Sequence, residues 1–196
     1  MKIYKDLEQG SQEWFDVRCG KLTASKASTI QANGKGLETL CFIKASEIVT
    51  GKMEEGYSNS AMKRGVELEP EARNFYEIVT GNSVEQIGFA EIDDRTGASP
   101  DGAVGKDGLV EIKCPSNDTF LRYMYDQKVD MKYYYQMQMQ MWVLNRKWCD
   151  YVIYNPDFKK RMFYVRIKRN DKDIQKIKDG VKTGKRIIKE ILKKVM

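Results

Sequence analysis

The chain alternates between segments whose apolar residues recur at helical spacing and shorter runs with the two-residue repeat of β-strands. Two helices are predicted within residues 11–31: a short capped helix from Ser11 to a turn at Cys19-Gly20, and a second opening near Thr23. Further helices are predicted over 37–50, 58–80, 117–145 in two pieces, and 171–195, and strands over 83–93, 97–104, 108–114, 148–155 and 161–168. The second and third strands form a hairpin. We expect an α/β (α+β) fold with a mixed β-sheet flanked by helices.

One acid interrupts the apolar face of the predicted helix 58–80. The apolar residues on that face are Met62, Val66, Leu68, Ala72, Phe75, Tyr76 and Val79. Glu69 falls among them, whereas Glu67 and Glu71 fall outside. A carboxylate on a buried face is costly unless a partner neutralises it, so we expect a metal ion or a lysine beside Glu69.

Composition narrows the possible chemistry. With 41% hydrophobic and 32% charged residues, the 196-residue chain has the composition of a soluble globular protein, and we expect one domain over 1–196. The chain contains no histidine, which excludes His-based catalytic triads and His-ligated zinc. Its four cysteines form no C-x-x-C pair, which disfavours a zinc or iron–sulfur site. Neither an export signal nor a membrane span is recognisable, so we expect a cytoplasmic protein.

Positive charge is concentrated at the C-terminal end. Residues 159–196 carry 15 Lys and Arg against 4 Asp and Glu, although the net charge of the whole chain is only +6. The predicted helix 171–195 lies within this basic part. Such a distribution favours a polyanionic partner, nucleic acid first, although a solvated basic helix would give the same pattern.

The segment SPDGAVGKDGLVEIKCP, residues 99–115, contains the most informative chemistry. Alternate strand residues point the same way, so Glu111 and Lys113 share one face of the strand and Ile112 faces the other. The hairpin can bring Asp101 beside Glu111. Two adjacent carboxylates repel unless a divalent cation lies between them, and oxygen ligands suit Mg²⁺ or Mn²⁺. Lys113 could then position or deprotonate a water molecule. On the three letters E-x-K alone, a solvated face or an ion pair is the favoured interpretation, but the apolar neighbours Leu109, Val110 and Ile112 indicate a buried strand.

Five short motifs, in order, carry a resemblance to a known family. They are Trp14-x-x-x-Arg18-x-Gly20-x-x-Thr23-Ala24-Ser25, Arg64-Gly65 with Glu69 and Ala72 following, Ser99-Pro100-Asp101-Gly102, Glu111-Ile112-Lys113-Cys114-Pro115, and Tyr133-x-x-Gln136-x-Gln138. Pro100-Asp101 and Glu111-Ile112-Lys113 together resemble the PD-(D/E)xK nuclease signature. The complete set, over about residues 11–155, is similar to the phage lambda exonuclease and YqaJ-like viral recombinase family.

The resemblance implies a restriction-endonuclease-like core and a metal site. By it, Asp101, Glu111 and the backbone carbonyl of Ile112 hold the catalytic Mg²⁺ (or Mn²⁺), and Lys113 activates or orients the attacking water. Glu69 contributes to a second ion, so two ions are expected. Gln136 helps to order the site, although a polar residue in a Met- and Tyr-rich core helix would have the same spacing. Gln138 and Gln140 are interpreted as ordinary helix residues.

The resemblance also implies a substrate and partners. Arg18, Ser25 and Ser99 match positions that contact a terminal 5′ phosphate; for Arg18 the alternative is a surface ion pair with Asp16 or a neighbouring residue. Trp14 and Thr23 are interpreted as packing and capping residues. The family digests linear double-stranded DNA from a 5′ end and leaves 3′ overhangs for a single-strand annealing protein in phage-type recombination.

The same family resemblance implies an oligomeric state and a cellular location. Family members form ring-shaped trimers, so we expect a homotrimer, encoded by a phage or prophage and acting in a bacterial cytoplasm without a membrane. Two alternatives remain open: another PD-(D/E)xK DNA endonuclease, or a non-catalytic DNA-binding module on the same fold.

Overall fold

The computed structural model describes residues 1–53 and 60–196, and in the helix that starts at residue 60 it describes side chains from residue 63 onward. In these parts the helices are α1 (Gln12–Arg18), α2 (Ala27–Ala32), α3 (Lys35–Thr50), α4 (Ser60–Thr80), α5 (Asn117–Asp126), α6 (Met131–Val143) and α7 (Asp171–Val195). The strands are β1 (Lys2–Tyr4), β2 (Leu22–Thr23), β3 (Val84–Glu85), β4 (Phe89–Asp93), β5 (Thr96–Ala98), β6 (Gly102–Val104), β7 (Gly108–Lys113), β8 (Trp148–Tyr154) and β9 (Met162–Lys168).

These strands form two mixed sheets, where the sequence suggested a single central one. The first has the order β1-β4-β5-β2 and the second β3-β6-β7-β8-β9. Two predicted strands were therefore wrong as continuous elements: 83–93 divides into β3 and β4, and 97–104 into β5 and β6. The chain crosses between sheets at each break, and at the second break Pro100 has no N–H to continue a strand ladder. The predicted hairpin is confirmed as the antiparallel pair β6 and β7.

The helix predictions hold with small adjustments. The segment 117–145 does divide in two, because α5 ends at Gln127, which adopts a left-handed conformation (φ 51°). α3 ends at Gly51 as predicted (φ 66°). Before α2, residues Ala24–Lys26 form a single 3₁₀ turn. Residues 58 and 59, the predicted start of the helix 58–80, lie outside the described residues.

Strand β7 separates two apolar layers. Val110 and Ile112 pack against Ala72 and Tyr76 of α4 on one face of the second sheet. Leu109 packs into the larger core on the opposite face, which α5 and α6 cover. The apolar face of α4 is narrower than its pattern predicted, because Val66 and Val79 are 71% and 51% exposed. Viewed along the helix axis, Val66 points about 120° away from the buried Ala72. Val79 lies in the last turn of the helix.

The basic helix α7 is anchored by close contact with α2 and α3. Gly180 lies against the carbonyl oxygen of Ile30, where a Cβ atom would overlap it, and Gly184 lies against Leu22 and Leu37. Its polar face is left to solvent. Within the described ranges, no helix combines the length and apolarity needed to cross a bilayer.

Candidate active site

Strand pairing brings the two predicted acids together. Gly102 of β6 pairs with Val110 of β7, so Asp101, one residue earlier, lies beside Glu111. Asp101 Oδ2 accepts a 2.6 Å hydrogen bond from the backbone N–H of Ile112. The side chain of Glu111 is 1% exposed. The hairpin therefore places the two carboxylates side by side at the pair of β6 and β7, as the sequence predicted.

The amine of Lys113 lies among three oxygen atoms. Its Nζ is 2.5 Å from Glu111 Oε1, 2.9 Å from the Ile112 carbonyl oxygen and 3.9 Å from Asp101 Oδ2. These are the three groups expected to bind a metal ion. The ammonium group therefore occupies the position in which a metal ion would contact the same three oxygens. Lys113 shares a strand face with Glu111, as predicted.

Charge coupling at this cluster shifts the pKa values of two groups. Burial, and then the neighbouring carboxylate of Glu111, raise the pKa of Asp101 well above its ordinary value, while Lys113 opposes this effect. Burial lowers the pKa of Lys113, but Glu111 and Asp101 outweigh it, so that its pKa is raised. Without another cation, Lys113 is thus held as an ammonium group and compensates the paired acids.

Helix α6 directs two glutamine side chains at Glu111. Gln136 Nε2 donates to Glu111 Oε1 at 2.6 Å, which favours its predicted ordering role over that of a plain core residue. Gln140 Nε2 donates to Glu111 Oε2, also at 2.6 Å. The interpretation of Gln140 as an ordinary helix residue was therefore wrong. The signal was its spacing, because residues four apart lie on the same helix face.

Gln138 has a different environment, as expected for a structural residue. Its amide nitrogen donates to the Lys168 carbonyl, and its amide oxygen accepts from the Asn170 backbone N–H. It therefore ties α6 to the end of β9 and the start of α7, away from Glu111.

Glu69 forms an ion pair with an arginine, a partner that the sequence analysis did not name beside the metal ion or lysine. Its Oε1 lies 2.5 Å from Nη2 of Arg73, one helical turn later. Glu69 nevertheless lies close enough to Asp101 to contribute to its raised pKa. Its predicted role at a second ion stays a prediction.

The oxygen atoms around Lys113 fit a hard divalent cation. Two carboxylates and one backbone carbonyl are the donor set that Mg²⁺ or Mn²⁺ accepts together with water. Across residues 1–53 and 60–196, the acids and cysteines do not assemble into a metal-binding group of three or more. The fit therefore rests on Asp101, Glu111 and the Ile112 carbonyl, with the Lys113 amine as the competing cation.

A second polar cluster surrounds Ser99, just before Asp101. Ser99 Oγ accepts hydrogen bonds from Arg18 Nη1 and from the Trp14 indole nitrogen, both at 3.0 Å. The guanidinium carbon of Arg18 lies 3.9 Å from the centre of the Trp14 ring. Burial lowers the pKa of Arg18 to about 10, so it remains charged at neutral pH. The alternative of a surface pair with Asp16 was wrong, because Arg18 is buried.

Two further predictions concern the edge of the first sheet. Trp14 does more than pack, because it positions Ser99 through its indole nitrogen. Ser25 is exposed, and its hydroxyl lies 3.3 Å from that of Thr23. Thr23 and Gly97 are partners in the parallel pair β2 and β5, so Ser25 and Ser99 each lie two residues beyond it. Ser25 and Ser99 therefore follow the ends of two adjacent parallel strands, but the Ser25 hydroxyl is hydrogen-bonded to Thr23, whereas Arg18 is hydrogen-bonded to Ser99.

Comparisons with known proteins identify the family and the fold of the chain. Residues 13–147 match the family model of the YqaJ-like viral recombinase domain. An alkaline exonuclease from Laribacter hongkongensis is 35% identical, with a TM-score of 0.88, over 94% of this chain and 96% of that one. The same values apply to its crystal structure in complex with dAMP.

A more distant structure shares the fold. It is a phage-related exonuclease from Haemophilus somnus 129PT, 18% identical, with a TM-score of 0.74 over 90% of this chain and 96% of that chain. The comparison with curated proteins gave no match. The family model covers more than half of the chain, and the Laribacter hongkongensis relative spans nearly all of it. The chain therefore belongs to the family of the YqaJ-like viral recombinase domain.

Proposed function

We propose that the chain is a metal-dependent exonuclease that hydrolyses linear double-stranded DNA from 5′ ends and leaves 3′ single-stranded overhangs. The observation that carries the proposal is the convergence of Asp101, Glu111 and the Ile112 carbonyl on one positive charge. The related Laribacter hongkongensis protein is described as an alkaline exonuclease and was crystallised with dAMP, a mononucleotide.

The ion would be held by Asp101, Glu111 and the Ile112 carbonyl oxygen. When bound, Mg²⁺ or Mn²⁺ supplies a Lewis acid for the phosphate and lowers the pKa of water. With the carboxylate neutralised in this way, Lys113 could turn from Glu111 Oε1 and would be placed to donate to the attacking water or to developing phosphate charge. Gln136 keeps Glu111 in place through its 2.6 Å hydrogen bond. Participation of Glu69 at a second ion would require that its ion pair with Arg73 opens.

The cluster at Ser99 is suited to a terminal 5′ phosphate. The Arg18 guanidinium is buried and stacked on Trp14, and its Nε atom has no hydrogen-bond partner among the described residues. A buried, pre-oriented guanidinium binds phosphate well, and the hydroxyl groups of Ser99 and Ser25, at the ends of two adjacent parallel strands, add donors. Recognition of the 5′ phosphate beside the carboxylates would set the direction of digestion.

The exposed face of α7 would hold the DNA backbone. Lys182, Arg186, Lys189 and Lys193 lie on one side of the helix at spacings of four, three and four residues and are exposed. The last two also line a groove with Arg95. Lysine and arginine rows of this kind bind phosphates without sequence preference. A ring-shaped trimer, a single-strand annealing partner, and a phage or prophage origin with a cytoplasmic site of action complete the proposal.

The test compares linear and closed circular duplex DNA, each with Mg²⁺, with Mn²⁺ and with excess chelator. We expect degradation of the linear duplex with either metal and none in chelator, with the circle intact. Nicking of the circle would indicate an endonuclease instead. Binding without hydrolysis of either substrate would indicate a DNA-binding module. Undiminished hydrolysis in chelator would contradict the metal dependence.

A further inference from the structure

Gln140 connects the two polar clusters that the proposed function treats separately. The side chain is fully buried in α6. Its amide nitrogen donates at 2.6 Å to Glu111 Oε2 and at 3.4 Å to the carbonyl oxygen of Ser99. Ser99 carries the hydroxyl that binds Arg18 and Trp14. One amide group therefore joins the carboxylate of the candidate metal site to the residue at the centre of the candidate phosphate site.

The orientation of the Gln140 amide is determined by these two acceptors. An NH₂ group has two N–H donors, one for each acceptor. The opposite atom, Oε1, is buried and has no hydrogen-bond partner within the described ranges. Exchanging the oxygen and the nitrogen would turn a carbonyl oxygen towards a carboxylate and a backbone carbonyl, which is repulsive. The side chain is therefore held through its nitrogen alone, by contacts to Glu111 and Ser99.

We infer that Gln140 is a positioning residue that couples recognition of the 5′ end to cleavage; this inference rests on the proposed function. Gln140 fixes the Glu111 carboxylate relative to the main chain of Ser99. The candidate phosphate site and the Glu111 carboxylate are then joined by a hydrogen-bonded path through Gln140. That path runs from Arg18 through Ser99 and Gln140 to Glu111.

A merely structural role can be separated from this one, because the same helix offers a matched control. Gln138 is also fully buried and also makes two hydrogen bonds, but they reach Lys168 and Asn170. Replacing either glutamine by methionine preserves the approximate volume in a helix that already buries three methionines, Met137, Met139 and Met141. Gln140→Met and Gln138→Met therefore remove comparable polar contacts and differ in what those contacts position.

The experiment measures kcat and KM on linear duplex DNA with a 5′ phosphate and with a 5′ hydroxyl, together with the melting temperature. For Gln140→Met we expect kcat to fall about 10–100-fold, as for other residues that orient metal ligands. The ratio of kcat/KM for the two kinds of end should also fall towards one. Gln138→Met should keep the wild-type kcat and ratio, even with a lowered melting temperature.

Equal kcat values and ratios for Gln140→Met and the wild type, or the same changes in both variants, would overturn the inference. If Gln140→Met does not fold, Gln140→Asn keeps the amide but is one methylene too short to reach both acceptors, and the same losses are expected. The activity of the wild-type protein distinguishes failure of the proposed function from failure of the coupling role. Its failure to degrade DNA would refute the proposed function, whereas an active wild type with an unaffected Gln140 variant would refute only the coupling role.

Discussion

Lys113 and Glu111 are joined by a 2.5 Å ion pair on the same face of β7, and the same amine lies 2.9 Å from the Ile112 carbonyl oxygen. A divalent cation held by Glu111 and Ile112, as proposed, would have to compete with this amine for the same oxygens. The lysine thus neutralises the paired acids, and in the proposed mechanism it would lie beside the reacting phosphate once an ion occupied the site. Both roles follow from its position two residues after Glu111 on a strand.

Replacement of Lys113 by alanine should reduce the chemical step and spare DNA binding. We expect kcat to fall by about 10²–10⁴-fold, the range for loss of a proton-transfer or charge-stabilising group. Single-turnover hydrolysis and equilibrium DNA binding measure the two effects separately. Lys147→Ala, which removes an exposed ion pair with Asp107, is the control and should leave both unchanged. A near-wild-type rate for Lys113→Ala would remove the lysine from the mechanism.

Asp101→Asn should weaken metal binding without lowering the stability of the metal-free protein. The substitution relieves the repulsion with Glu111 that contributes to the raised pKa of Asp101, and an asparagine oxygen can still accept from the Ile112 N–H. We therefore expect unchanged or higher stability without metal. Wild-type protein should gain about 2.7 kcal/mol of unfolding free energy at an ion concentration of about 100 Kd.

Denaturant unfolding with and without Mn²⁺ measures both quantities. The gain should be largely lost in Asp101→Asn, and it should be retained in Asp107→Asn, which changes an exposed acid in the turn before β7. An equal Mn²⁺-induced gain in wild type and Asp101→Asn would exclude Asp101 as a ligand.

Arg18→Ala should reduce discrimination between 5′-phosphorylated and 5′-hydroxyl ends. The guanidinium is buried and hydrogen-bonded to Ser99, so its removal takes away the fixed charge at the candidate phosphate site. Arg18→Lys keeps a charge without the planar fork and should give an intermediate ratio. Competition between the two kinds of end in one reaction measures the ratio. A ratio equal to wild type in both variants would refute this role.

The basic face of α7 should contribute affinity without sequence preference. The triple variant Lys182→Ala, Lys189→Ala, Lys193→Ala should weaken DNA binding equally on unrelated sequences. It should also lower the salt dependence of log K by about 0.9 for each lost phosphate contact. Fluorescence anisotropy across a salt series measures this slope. A control triple at Lys5, Lys106 and Lys147, which are exposed elsewhere, should leave the slope unchanged. Equal slopes in both triples would exclude α7 from the DNA interface.

The site was more predictable than the sheets. The period of two along β7 and the hairpin before it determine that Asp101, Glu111 and Lys113 meet, and both signals are local. The division of 83–93 and 97–104 between two sheets depends on which distant strands each half pairs with, and a local pattern does not contain that information. The ion pair of Glu69 with Arg73 was not predicted, although residues four apart on a helix lie on the same face and can pair. Gln140 lies on the same helix face as Gln136, but its acceptors come from β7 and from the chain before β6, and helical spacing alone does not identify them.

The most direct test of the proposed 5′→3′ exonuclease activity follows the two ends of one DNA strand. A linear duplex with a 5′ phosphate carries a label at the 5′ terminus of one strand and a different label at the 3′ terminus of that strand. With Mg²⁺, we predict early release of the 5′ label in mononucleotides, while the 3′ label stays in long, progressively shortened strands, and no release by Glu111→Gln. Early release of the 3′ label, internal fragments that carry either label, or wild-type release by Glu111→Gln would contradict a 5′→3′ exonuclease centred on Asp101, Glu111 and Lys113.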